Sequence, residues 1–259
     1  PAAGIAGAAI ASSVSEAVSL LFFIIYTSMT ADKRKYGFRR AFTLRPHLLK
    51  GMLSISGWTM VQSFISVSIW FIFFLAIEHL GERPLAVTNI VRNISALLIM
   101  VISAFATTAG ALISNQIGAG EQRCLFKTCG MTLKLTYAIL IPLLIILCLF
   151  PESVLRAFTD SPSLIAASVN SVYVMASSTL IMAPSFILFN AVSGTGNTRA
   201  GFIMEMISLA VYTAVIYYGI IRLKPDVALC WFSEHVYGVT LIFLAWWYLK
   251  SGKWRGKKV

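Results

Sequence analysis

Residues 51–77 read GMLSISGWTMVQSFISVSIWFIFFLAI, a run without one charged side chain. About 20 apolar residues suffice to cross a bilayer as a helix, so this stretch alone predicts a membrane span. Working outward from it, six more stretches qualify, near 4–29, 85–116, 134–151, 164–191, 200–221 and 228–249. The alternation of a membrane barrel is missing, which leaves helices as the way to satisfy the backbone in lipid. The bulk composition agrees. Apolar residues make up 58% of the 259, charged ones 12%, against roughly 25% charged in soluble domains. A water-soluble enzyme or regulator is excluded, and so is a disordered chain. The expected fold class is an all-α polytopic membrane protein with seven transmembrane helices.

The net charge of +11 points to nucleic acid only in a soluble protein; here no nucleic-acid partner is expected, and membrane lipid is. The basic residues alternate between connections. Sixteen fall on one side, in the loop 31–50 (Lys33, Arg34, Lys35, Arg39, Arg40, Arg45, Lys50), at Arg123, Lys127, Lys134 and Arg199, and in the tail from Lys250 to Lys258. Only Arg83, Arg156, Arg222 and Lys224 fall on the other. The positive-inside rule then places the C-terminus in the cytoplasm of a plasma membrane, the inner membrane in a bacterium. Glu78, Glu82, Glu152, Asp160, Asp226 and Glu234 are assigned to the outer side by the same count. The resulting organisation is a helix over 1–29, a basic connector over 30–49 that fits a short interfacial helix, six helices over 50–250, and a basic tail over 251–259. The chain opens on Pro1 without a signal peptide and is expected to be a piece of a longer protein, natural or truncated.

No catalytic constellation is present. His47, His79 and His235 lie near span ends without a nucleophile or an HExxH spacing, so no enzyme activity and no catalytic residue is expected. Cys124, Cys129, Cys148 and Cys230 lack metal-ligand spacing, so no metal site is expected either. Gly194-Thr195-Gly196 has neither a preceding strand nor a following GK[ST], which removes a nucleotide loop. Three ionisable residues sit inside spans: Glu16, Arg92 and Glu205. Such groups are costly in lipid and are candidates for substrate or ion binding, against a plain structural role for each. At 1.5 Å per residue, Arg92 and Glu205 differ in depth by about 11 Å, too far for direct pairing. Asn89, Arg92 and Asn93 share a helical face, as do Asn170 and Tyr173, and these too are binding candidates. The alternative for these polar residues is ordinary interhelical hydrogen bonding. Gln62, Ser63, Ser66 and Ser68 are too mild to separate the two readings. Pro142 and Pro184 fall inside helices and are expected to kink them.

Two turns are distinctive: Ser114-Asn115-Gln116-Ile117-Gly118-Ala119-Gly120-Glu121 and Ser193-Gly194-Thr195-Gly196-Asn197-Thr198-Arg199. Gly118, Gly120, Gly194 and Gly196 suit positive φ at helix ends, and Asn197 suits a cap. With Gly4-Ile5-Ala6-Gly7-Ala8-Ala9-Ile10-Ala11-Ser12 and Pro84-Leu85-Ala86 before Asn89-Ile90, these strings in this order resemble the multidrug and toxic compound extrusion (MATE) family. The resemblance covers the whole chain. It implies helices six to twelve of a twelve-helix fold, that is, the last helix of an N-terminal lobe and a six-helix C-terminal lobe. It also implies a Na⁺- or H⁺-coupled antiporter of amphipathic or cationic molecules, with no cofactor beyond the coupling ion and with an N-terminal lobe missing from this chain. A lipid-linked oligosaccharide or polysaccharide-precursor flippase of the same superfamily is the alternative. Some relatives carry carboxylates in the seventh and tenth helices. Here the matching spans, 50–77 and 164–191, have none, so either Glu205 substitutes or the coupling site lies in the other lobe.

Overall fold

The computed structural model describes residues 4–30, 46–252 and 254. The helices are α1 (Gly4–Thr30), α2 (Pro46–Glu78), α3 (Glu82–Gly118), α4 (Leu125–Leu149), the short α5 (Pro151–Arg156), α6 (Pro162–Gly194), α7 (Thr198–Val215), the short α8 (Val227–Cys230) and α9 (Ser233–Ser251). A 3₁₀ turn over Gln122–Cys124 precedes α4, and a π-helical turn over Ile216–Arg222 continues α7. Among the described residues seven helical segments are long and apolar enough to cross a membrane, and the protein is a multi-pass membrane protein. Two compact units divide at Leu53 and Ser54. The first holds α1 and the opening of α2; the second holds everything from Ser54 onward.

Two boundaries differ from the sequence reading. Helix α2 is described from Pro46, ahead of the expected start of its span at 50. The end of the expected connector is therefore helical. The rest of that connector, 31–45, and most of the basic tail lie outside the described residues. Helix α4 begins nine residues before the expected start at 134. Lys127 and Lys134, two turns apart, sit on its exposed side, while Leu125, Thr128, Cys129 and Thr132 are buried. A hydropathy reading sees the lysines and stops; the helix continues because both share one face.

In the second unit α6 is central, packing along α3 and also against α4 and α9. Small residues permit this closeness. A Cβ at Gly110 would come within 2.9 Å of the Asn190 carbonyl oxygen, and one at Gly194 would clash with the Gly110 carbonyl oxygen. Gly194 is therefore a packing residue at the end of α6, not a positive-φ residue. Gly118 likewise ends α3 without a positive φ. Of the four turn glycines, Gly120 and Gly196 take the left-handed conformation, at φ +83° and +78°. Around Gly120 the Glu121 N–H donates to the Gln116 carbonyl and the Gly120 N–H to the Ile117 carbonyl, the paired bonds of a Schellman end. Asn197 caps α7 by accepting from the Ala200 N–H at 3.2 Å, while its Nδ2 donates to the Tyr248 hydroxyl at 2.6 Å.

Helices α4 and α6 run unbroken through Pro142 and Pro184. Pro184 offers no N–H to the carbonyl of Leu180 four residues before it. The Tyr137 hydroxyl of α4 donates to that oxygen at 2.7 Å. Tyr137→Phe is expected to destabilise the protein by about 1 kcal/mol, because the carbonyl loses its partner in an apolar setting. Thermal unfolding in detergent measures this, and an unchanged midpoint would contradict it.

Candidate functional site

A cavity of about 250 Å³ lies within the second unit, lined by residues of α2, α3, α6, α7 and α9. Helix α7 supplies Glu205, Leu209 and Tyr212, spaced four and three apart and so on one face. Helix α2 supplies Ser66, Val67 and Trp70; α9 supplies Glu234 and Tyr237. The wall is apolar and aromatic, with two carboxyls set into it.

Glu205 is 4% exposed. Its Oε1 accepts from the Ser66 hydroxyl at 2.8 Å and from the Tyr237 hydroxyl at 3.0 Å. Its Oε2 is buried and has no hydrogen-bond partner. The Ser208 hydroxyl, one turn along α7, is likewise buried and unpartnered. Three helices thus meet at one carboxyl, and one of its oxygens is unsatisfied. Burying a carboxylate charge without compensation is strongly unfavourable, so this group needs a proton or a cation. The groups that reach Oε1 are both hydroxyls, and an oxygen donor set suits a proton or a hard cation such as Na⁺. Among the described residues no group of three His, Cys, Asp or Glu is placed to hold a metal.

Glu234 is the residue that sequence reasoning missed. The charge count assigns it to the outer edge, yet it lines the same cavity as Glu205. Its Oε1 accepts from the Tyr212 hydroxyl at 2.7 Å. The last span breaks at Trp231–Phe232 between α8 and α9, and the first turn of α9 carries Glu234 to the cavity wall. The spacing Glu234–Tyr237, matched to Glu205–Tyr212, was the available signal: each pair lies on one helical face. Tyr212 and Tyr237 then meet edge to face at 5.8 Å. Ser66, set aside as too mild, also belongs to the site.

The other candidates are scattered. The Arg92 guanidinium lies 5.2 Å from the Phe74 ring centre and 5.9 Å from that of Trp70, and its buried Nε has no hydrogen-bond partner. Arg92 is not among the residues lining the cavity. Asn89 is half-buried and Asn93 exposed on the same helix. Asn170 is exposed, and the Tyr173 hydroxyl reaches the Cys148 carbonyl at 3.5 Å, away from the cavity. Glu16 lies on α1, in the other unit.

Solved structures share this helical fold. A Vibrio cholerae MATE transporter, VcmN, solved as a point mutant, superposes with a TM-score of 0.73 at 15% identity, over 82% of this chain and 48% of its own. A multidrug resistance MATE family transporter in an outward-facing conformation gives 0.70 at 14% identity, over 79% and 46%. A MOP superfamily transporter of Pyrococcus furiosus, described by a binding pocket of reverse polarity, gives 0.68 at 14%, over 77% and 44%. In sequence, the uncharacterized transporter YisQ of Bacillus subtilis is 23% identical over 221 residues, covering 81% of this chain and 46% of its own. The MatE family model matches residues 59–218, and the chain belongs to that family. Proteins of the family are transporters, not enzymes. The chain spans about half the length of the relatives it matches.

Proposed function

We propose that this chain is part of a cation-coupled antiporter that moves amphipathic or cationic solutes outward by alternating access, with Na⁺ or H⁺ as the counter-ion. Its setting is a plasma membrane, the inner membrane in a bacterium, with the C-terminus in the cytoplasm and an N-terminal lobe as partner. The observation that carries this reading is Glu205: a carboxyl closed off in an apolar cavity, with one oxygen satisfied twice and the other not at all. Exchange follows if that site is filled by the coupling ion in one orientation and emptied in the other. Ser66, Glu205 and Tyr237 lie on α2, α7 and α9, so a shift of any one of these helices alters the site.

The flippase alternative calls for cations in the cavity to meet a pyrophosphate. The lining carries two carboxyls, and Arg92 lies against aromatic rings instead. This supports the antiporter. The test uses the full-length transporter carrying this sequence, reconstituted in vesicles with an imposed Na⁺ or H⁺ gradient. Export of an aromatic cation is expected to follow one of the two gradients, and Arg92→Ala is expected to stay within about threefold of wild type. Export driven by neither gradient would overturn the reading.

A further inference from the structure

We propose that Glu234 is a second binding carboxyl in the cavity, receiving the organic cation while Glu205 holds the small coupling ion; the assignment rests on the antiporter reading above. The two carboxyls line one cavity but are held differently. Glu205 is almost fully enclosed, with Ser66 and Tyr237 on one oxygen and buried protein around the other. A bare proton or Na⁺ fits there; a quaternary ammonium with its methyl shell does not. Glu234 is only half-buried and receives the Tyr212 hydroxyl. Around it stand the rings of Tyr212 and Tyr237, and the same cavity is walled by Trp70 and Phe186. Aromatic faces within about 6 Å attract an organic cation, and a carboxylate beside them supplies the charge. No Lys or Arg is among the described residues lining the cavity.

The two sites communicate. Tyr237 bonds Glu205 and touches the Tyr212 ring, whose hydroxyl bonds Glu234. Two positive charges in one low-dielectric cavity repel, so filling the Glu234 site weakens the hold on the ion at Glu205. Coupling then needs no shared ligand.

The experiment measures binding to the purified full-length transporter of phenyltrimethylammonium and of its uncharged carbon isostere, tert-butylbenzene. Glu234→Gln is expected to weaken the cation by at least about tenfold while the isostere moves by less than about twofold. Glu234→Asp, which keeps the charge, is expected to recover most of the cation affinity. Glu205→Gln is expected to abolish competition by Na⁺ or protons while cation binding persists. The proposal is overturned if Glu234→Gln weakens both ligands alike and Glu234→Asp restores neither, which is a packing role. It is also overturned if Glu205→Gln, and not Glu234→Gln, removes cation binding, a result that leaves the antiporter intact. Conversely, cation binding lost with Glu234→Gln in a transporter that no gradient drives would uphold the Glu234 site and sink the antiporter.

Discussion

Glu205→Gln is expected to lower gradient-driven export by at least about thirtyfold, because the coupling ion loses its charge-assisted contact, worth about 2 kcal/mol or more. The substitution keeps the side chain's shape, and the Gln carbonyl still accepts from Ser66 and Tyr237 at the Oε1 position. What disappears is the charge that recruits the ion. Folding is therefore expected to survive while coupling is lost, and counter-flow measurements separate the two: downhill exchange of labelled solute persists, and uphill movement stops. Ser66→Ala and Tyr237→Phe each remove one of the two donors and are expected to produce smaller losses. A Glu205→Gln transporter that still concentrates solute against a gradient would remove this carboxyl from the mechanism.

Gly194→Ala is expected to destabilise the protein by about 3 kcal/mol, at the upper end of overpacking penalties, because the new methyl meets backbone that cannot rotate away. The obstacle is the Gly110 carbonyl oxygen, and α3 and α6 pack along much of their length, so relieving the clash means separating two spans. Gly118→Ala is the matched control. It also ends a helix, but nothing lies within 4 Å of its would-be Cβ, and a slight gain from helix propensity is expected. Gly238→Ala falls between them, since its obstacle is the Ile181 side chain rather than backbone. Thermal unfolding of the three variants in detergent ranks them; a Gly194→Ala variant as stable as Gly118→Ala would show that the α3–α6 spacing is soft.

The spans were legible because an uncharged run such as 51–77 permits only one structure in lipid. The ends were less so: hydropathy averages over a window, whereas Lys127 and Lys134 are accommodated by facing one way. Glu205 was legible for the same reason as the spans, being a carboxyl where none is affordable. Glu234 was hidden because its position depends on the break between α8 and α9, and a one-dimensional charge count puts any acid near a span end outside. The turn motif around Gly194 was legible as a turn, but its tightest constraint comes from Gly110, 84 positions away in sequence. Pairings of that range, like Ser66 with Glu205, leave no local trace. Arg92 was singled out on its cost and on the face it shares with Asn89 and Asn93, and the structure sets its guanidinium against two aromatic rings of α2.

The most direct test of the central claim, that the enclosed carboxyl on α7 trades a small cation for the transported solute, is ion release. The detergent-purified, full-length transporter is loaded with ²²Na⁺ or equilibrated in weak buffer, an aromatic cation is added, and the released Na⁺ or protons are counted. Wild type is predicted to release one of the two ions in proportion to the solute bound, and Glu205→Gln to release neither. Solute binding without release from wild type, or equal release from Glu205→Gln, would contradict the account.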